Sequence, residues 1–184
     1  MIIAQTIGIV AMGFNILSFQ FKKKQTLLLS QLIGASLFAI NMFMLNAIMG
    51  GILNVMAVLR ALVYLKIEKL KIPPLIINSL FVLLYLISYV LVFTLFKKEP
   101  STRNLILEFL PIVGMSLMTF SFAGKSAKII RVTNFINSPF WLTYNIFNFA
   151  IGGILCEIFC LASSISGFIR LDLKKNASVK QEEK

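Results

Sequence analysis

The chain has 184 residues, of which 58% are hydrophobic and 14% charged, with mean hydropathy +0.89 and a formal charge of +11. A soluble domain carries about a quarter charged residues and keeps its apolar residues on one face of each element. Here the apolar residues come in long runs with cations clustered at their ends, which excludes a soluble enzyme, a disordered chain and a nucleic-acid module.

Seven apolar runs, each of roughly 20 residues and long enough to cross a bilayer, occupy most of the chain. They fall at about 2–20, 26–46, 48–66, 73–96, 104–122, 127–148 and 151–171. No basic region or cleavage site follows Met1, so the first run is expected to persist as a helix. It ends at Lys22-Lys23-Lys24. The later breaks are Lys69 to Pro74, Lys97 to Arg103 and Gly124-Lys125, while only Gly50-Gly51 divides spans 2 and 3 and only Gly152-Gly153 divides spans 6 and 7. In lipid every backbone polar group needs an internal partner, so each run is predicted to be helical.

Lys and Arg sort by side. Counting alternate ends, one side receives fourteen, among them Lys22 to Lys24, Lys66, Lys71, Lys128, Arg131 and Arg170, and the other only Lys97, Lys98 and Arg103. The positive-inside rule then puts the N-terminus outside and the C-terminus in the cytoplasm. Residues 173–184, rich in Lys, Glu and Gln, read as a disordered cytoplasmic tail. The Asn176-Ala177-Ser178 triplet in that tail faces the wrong side for glycosylation. Cys156 and Cys160, one turn apart in span 7, are predicted to pack against lipid. With no histidine in the chain, neither a metal site nor a cofactor is expected.

Spans 1–3 and 5–7 look like copies. At a spacing of 103, Ile9, Val10, Met12, Ser18 and Phe19 match Ile112, Val113, Met115, Ser121 and Phe122. At a spacing of 102, Ser36, Asn46, Gly50 and Gly51 match Ser138, Asn148, Gly152 and Gly153. Two three-helix units joined by a single helix must run in the same direction, which predicts a parallel repeat about an axis along the membrane normal. The predicted organisation is a first repeat over 1–67, a connecting helix with its loops over 68–103, a second repeat over 104–172, then the tail.

Several short motifs in order resemble the YgjV family of bacterial inner-membrane proteins. They are Ala4-Gln5 with Gly8, the basic break after span 1, Ile52-Leu53-Asn54, Glu108 to Gly114, Tyr144-Asn145, Ile151-Gly152-Gly153 and Glu157. The resemblance covers roughly residues 2–172 and implies a relation to the SWEET and PQ-loop superfamily. A SWEET-like pair of three-helix bundles follows as an implication of that likeness. The PQ-loop pattern is incomplete, because no proline precedes Gln20.

Polar groups within the spans are the candidates for function, since ionisable side chains inside a bilayer are costly and face the bundle interior. Three are ionisable: Arg60, Glu108 and Glu157. Glu157 stands opposite Val55 in the repeat, and Arg60 lies further toward the cytoplasm, where it either pairs, snorkels or meets a ligand. Glu108, near the outer end, is expected to be partly hydrated. Asn134, Asn137, Trp141, Asn145 and Asn148 line one face of span 6. Such amides suit a polar solute or, equally, hydrogen bonds between helices. Asn54 is the natural contribution from the first repeat. Pro111 and Pro139 lie inside spans 5 and 6, where each removes a backbone hydrogen bond. No nucleophile stands beside a plausible base, so no enzyme is expected.

The expectation is therefore an all-α, seven-helix protein of the bacterial cytoplasmic membrane. Its partners would be the lipid bilayer and a small polar solute such as a sugar or amino acid. Asn54, Arg60, Trp141, Asn145 and Glu157 would bind that solute during alternating access. A non-transporting receptor for a peptide or metabolite and a structural assembly factor are the alternatives, and self-association stays open.

Overall fold

The computed structural model of the chain describes residues 2–67, 71–124 and 126–173. Lys69, Lys125 and, apart from Leu173, the tail expected over 173–184 lie outside the described residues. Among the described residues seven α-helices carry the fold: α1 (Ile2–Ser18), α2 (Lys24–Met44), α3 (Ile48–Leu65), α4 (Pro74–Thr94), α5 (Thr102–Ala123), α6 (Ala127–Phe147) and α7 (Ile151–Gly167). A π-helical turn, Phe168–Leu173, follows α7. No strand occurs among the described residues.

Five of the helices, α2, α3, α4, α5 and the α7 segment, are long and apolar enough to cross a membrane. α1 is apolar but shorter, at 17 residues. α6 is as long as α2 and α4, at 21 residues, and it is the asparagine stripe that makes it less apolar.

Six helices form a closed ring. Each packs on its neighbours in the order α1, α2, α3, α5, α6, α7, and α7 returns to α1. Exchanging α1, α2 and α3 with α5, α6 and α7 leaves this set of neighbours unchanged. α4 stands outside, against the seam between α3 and α5. It buries one stripe, Ile77, Asn78, Phe81, Tyr85, Ser88 and Val92, at three- and four-residue spacing. The stripe's polar members make the attachment specific. Tyr64 of α3 donates to Asn78, and the Tyr85 hydroxyl lies 2.9 Å from Thr119 Oγ1 of α5.

The glycine pairs do not make the turns. The chain reverses earlier, at Asn46 and Phe149, both left-handed with φ 57° and 50°. In each turn the following alanine N–H returns to a carbonyl five residues back, Ala47 to Met42 at 2.9 Å and Ala150 to Asn145 at 3.0 Å. These are two Schellman caps at the same place in the two halves. Gly50-Gly51 and Gly152-Gly153 sit inside the first turns of α3 and α7, where the role of the missing side chain is close approach. A Cβ on Gly152 would stand 2.9 Å from the Gly8 carbonyl carbon of α1, and one on Gly50 would stand 2.9 Å from the Tyr144 ring of α6.

Replacing Gly152 with Val is therefore expected to force α1 and α7 apart and to destabilise the fold by about 1–3 kcal/mol. Gly13, also in a helix, has nothing within 4 Å of its would-be Cβ. Gly13→Ala should stabilise by about 0.5–1 kcal/mol through helix propensity alone. Thermal unfolding of the two variants in the same detergent checks the contrast.

Candidate functional site

The ring surrounds a half-open cavity of about 110 Å³, lined by residues from all six of its helices and none from α4. That is room for several waters or one small solute, and less than the roughly 300–1,000 Å³ of drug-sized sites. Asn54, Arg60, Trp141, Asn145 and Glu157 all line it. The five residues singled out from the sequence thus border one space.

Their roles in the wall differ. Arg60 is 4% exposed and does not snorkel. Its Nη1 donates to the Met115 carbonyl at 3.1 Å and to Thr119 Oγ1 at 3.0 Å, and the guanidinium lies 4.3 Å from the Phe122 ring centroid. Glu157 stands on α7, diametrically across the ring, and the two do not form an ion pair. The Ser138 hydroxyl of α6 lies beside the Glu157 carboxyl, although it reaches no partner at hydrogen-bonding geometry. Asn54 donates to the Gly50 carbonyl of its own helix at 2.8 Å, which leaves its amide oxygen as an acceptor. Trp141 meets Tyr144 edge to face, with centroids 6.0 Å apart.

The asparagine stripe divides. Asn134 donates to Ser164 of α7 at 2.9 Å. Asn137 packs on Gly114 and Asn145 on Gly153, each with a buried amide oxygen that finds no partner. Asn148 turns back to the Tyr144 carbonyl at the helix end and stays outside the cavity.

Three expectations need correction. Cys156 and Cys160 face the cavity, not lipid; both are buried, with sulfurs 3.6 Å apart as free thiols. Glu108 is 1% exposed and pairs with Lys98, beside the Tyr144 hydroxyl, which in turn accepts from Gly50 N–H at 2.9 Å. In the second part of each half, the lining keeps the 103-residue spacing instead of shifting to 102. Gln31 pairs with Asn134, Phe38 with Trp141, Met42 with Asn145, Asn54 with Glu157 and Ala57 with Cys160, just as Phe19 pairs with Phe122. Asn54, and not Val55, therefore holds the position of Glu157; Val55 is exposed on the outer face. Sequence reasoning missed Asn15 and Gln31, which also line the cavity. Their signal was present, as lone amides inside apolar runs.

At the lysine-rich end two cations reach across the ring. Lys24, in the first turn of α2, donates past α3 to the carbonyls of Phe122 and Gly124 on α5, at 2.6 and 2.8 Å. A lysine opposes the dipole of its own helix there but complements the free carbonyls ending α5. Arg131 of α6 donates past α7 to the carbonyls of Phe19 and Phe21, at 3.3 and 3.1 Å. It also holds Asp172 through Nε at 2.9 Å and Nη2 at 3.1 Å, an edge-on bidentate pair made by the π turn. Under the exchange of halves these two crossings map onto each other. Between them, buried Phe19 and Phe122 border the cavity.

The ring of long apolar helices defines a polytopic helical membrane protein. The chain belongs to the Imp-YgjV family of bacterial inner membrane proteins, whose family model matches residues 2–175. No curated protein and no solved structure matches it.

Arg131→Met should lower stability by about 3 kcal/mol, because it strands the Asp172 carboxylate and two carbonyls. Asp172→Asn should cost less, since the amide oxygen still accepts from the guanidinium. Denaturation of both variants in detergent tests the order.

Proposed function

We propose that this inner-membrane protein is a carrier, not an enzyme, and moves a small polar solute by alternating access. Its two halves, α1–α3 and α5–α7, would rock about the cavity they share, related as parallel repeats. The observation that supports this is the lining itself, which comes from every ring helix and of which two thirds recurs at one spacing in both halves. The excess of cations at the lysine-rich end argues that this end faces the cytoplasm. There Lys24 and Arg131 tie the backbone beside Phe122 and Phe19, so these crossings are the contacts that must part for the cavity to open inward. Only a change of differential contact between two states moves such an equilibrium, and two cation–carbonyl crossings supply one.

The Asn134–Ser164 hydrogen bond and the seating of Asn145 on Gly153 favour a second reading, in which the amides only hold helices together. Two native thiols separate the readings. A carrier should let a small water-soluble methanethiosulfonate label Cys156 and Cys160 in native membranes. Lys24→Ala should raise the rate from the cytoplasmic side about tenfold, as removal of roughly 1.4 kcal/mol from the closed state would do. Thiols that label only after denaturation, in both wild type and variant, would establish the structural reading.

A further inference from the structure

We infer that the solute is a small zwitterion of the amino-acid class, its carboxylate on Arg60 and its ammonium group toward Glu157. This rests on the carrier reading of the cavity and adds the chemistry of what is carried.

The cavity walls differ in hydrogen-bonding sense. On the α3 side, Arg60 commits only Nη1 to α5. Its Nε is buried without a partner, and Nη2 makes no hydrogen bond among the described residues. Nε and Nη2 form the edge of a guanidinium that takes a carboxylate bidentately. The same edge of Arg131 is filled by Asp172, so the chain itself shows what this geometry accepts. An arginine can only donate, so the group that completes it must only accept.

Across the ring the situation reverses. Glu157 has no cationic partner among the described residues. The Asn145 amide oxygen, seated at Gly153 one turn before Glu157, is buried and unpartnered. The Asn54 oxygen is left over too, but on α3 with Arg60, so Glu157 and Asn145 alone mark the far wall. This is a set of acceptors, and an ammonium group, with three donors and no acceptor, is the complement. A neutral polyol would satisfy the amides and leave the Arg60 edge and the Glu157 carboxyl without partners, the costlier omission. The cavity volume of about 110 Å³ suits a molecule of a few heavy atoms.

The test is thermal unfolding of the purified full-length protein with glycine, L-alanine and L-serine. Lactate (no ammonium group), ethanolamine (no carboxylate) and glycerol (neither charge) are the controls. At least one amino acid should raise Tm by about 5–10 °C at a hundredfold excess over its Kd, with little response to the controls. Glu157→Gln and Arg60→Lys should each reduce that response at least tenfold in apparent Kd. Equal stabilisation by glycerol, no response to any of the three amino acids, or an undiminished response in both variants would overturn the assignment. The wild-type panel needs no variant to fold. Thiol labelling of Cys156 judges the carrier reading separately, so a labelled protein that responds only to glycerol sinks the zwitterion and spares the carrier.

Discussion

Inside a bilayer a polar side chain has no water to fall back on, and it must find its partner within the protein or face a cavity that supplies one. Nearly every placement in this fold follows from that constraint. Asn41 reaches the Ala4 carbonyl at 2.7 Å, Asn78 meets Tyr64, Tyr85 meets Thr119, and Gln20 ties α1 to Ser163 of α7 at 2.6 Å. These bonds close the ring and fix α4 to its outside. Three of the groups they leave unsatisfied meet in the middle: the Nε of Arg60 and the amide oxygens of Asn137 and Asn145. Asn41, Glu108 and Ser138 keep unpartnered oxygens elsewhere, but the Arg60, Asn137 and Asn145 groups border one cavity, which is why that space and not the surface carries the functional proposal.

The two seams between the halves are built differently. At α1 and α7, glycine meets glycine, and the backbones approach directly at Gly8 and Gly152. At α3 and α5, Pro111 stands where Gly8 stands in the first half, and the Tyr144 ring packs on Gly50 instead. Arg60, Thr119 and Tyr85 then bind α3, α5 and α4 at that seam. One seam is held by close packing and the other by a polar network braced from outside by α4. A rocking motion of the proposed kind would slide the first and strain the second.

The cation crossings connect sequence chemistry to that motion. Three consecutive lysines after span 1 read as an orientation signal, yet Lys24 leaves that role and completes the carbonyl end of another helix. Arg131, counted with the same group, is 2% exposed and belongs to the interior. Charge clusters at membrane edges thus serve two purposes here, and the interior purpose depends on which helix ends the ring brings together.

Periodicity and charge in the sequence determined the number of helices, their ends to within a few residues, the family, and the polar residues worth following. Span length and the expulsion of lysine and arginine from lipid are local properties, so they are legible without a structure. The facing of each helix was not. Lipid and protein interior are both apolar, so a cysteine pair or a valine reads the same on either side, and Cys156, Cys160 and Val55 were assigned the wrong register or face for that reason. Only tertiary packing decided that Glu108 is sealed by Lys98, that the 103-residue spacing relates most of the cavity lining, and that Arg60 and Glu157 share a space without touching. Those outcomes depend on which helices become neighbours, and no one helix encodes its neighbours.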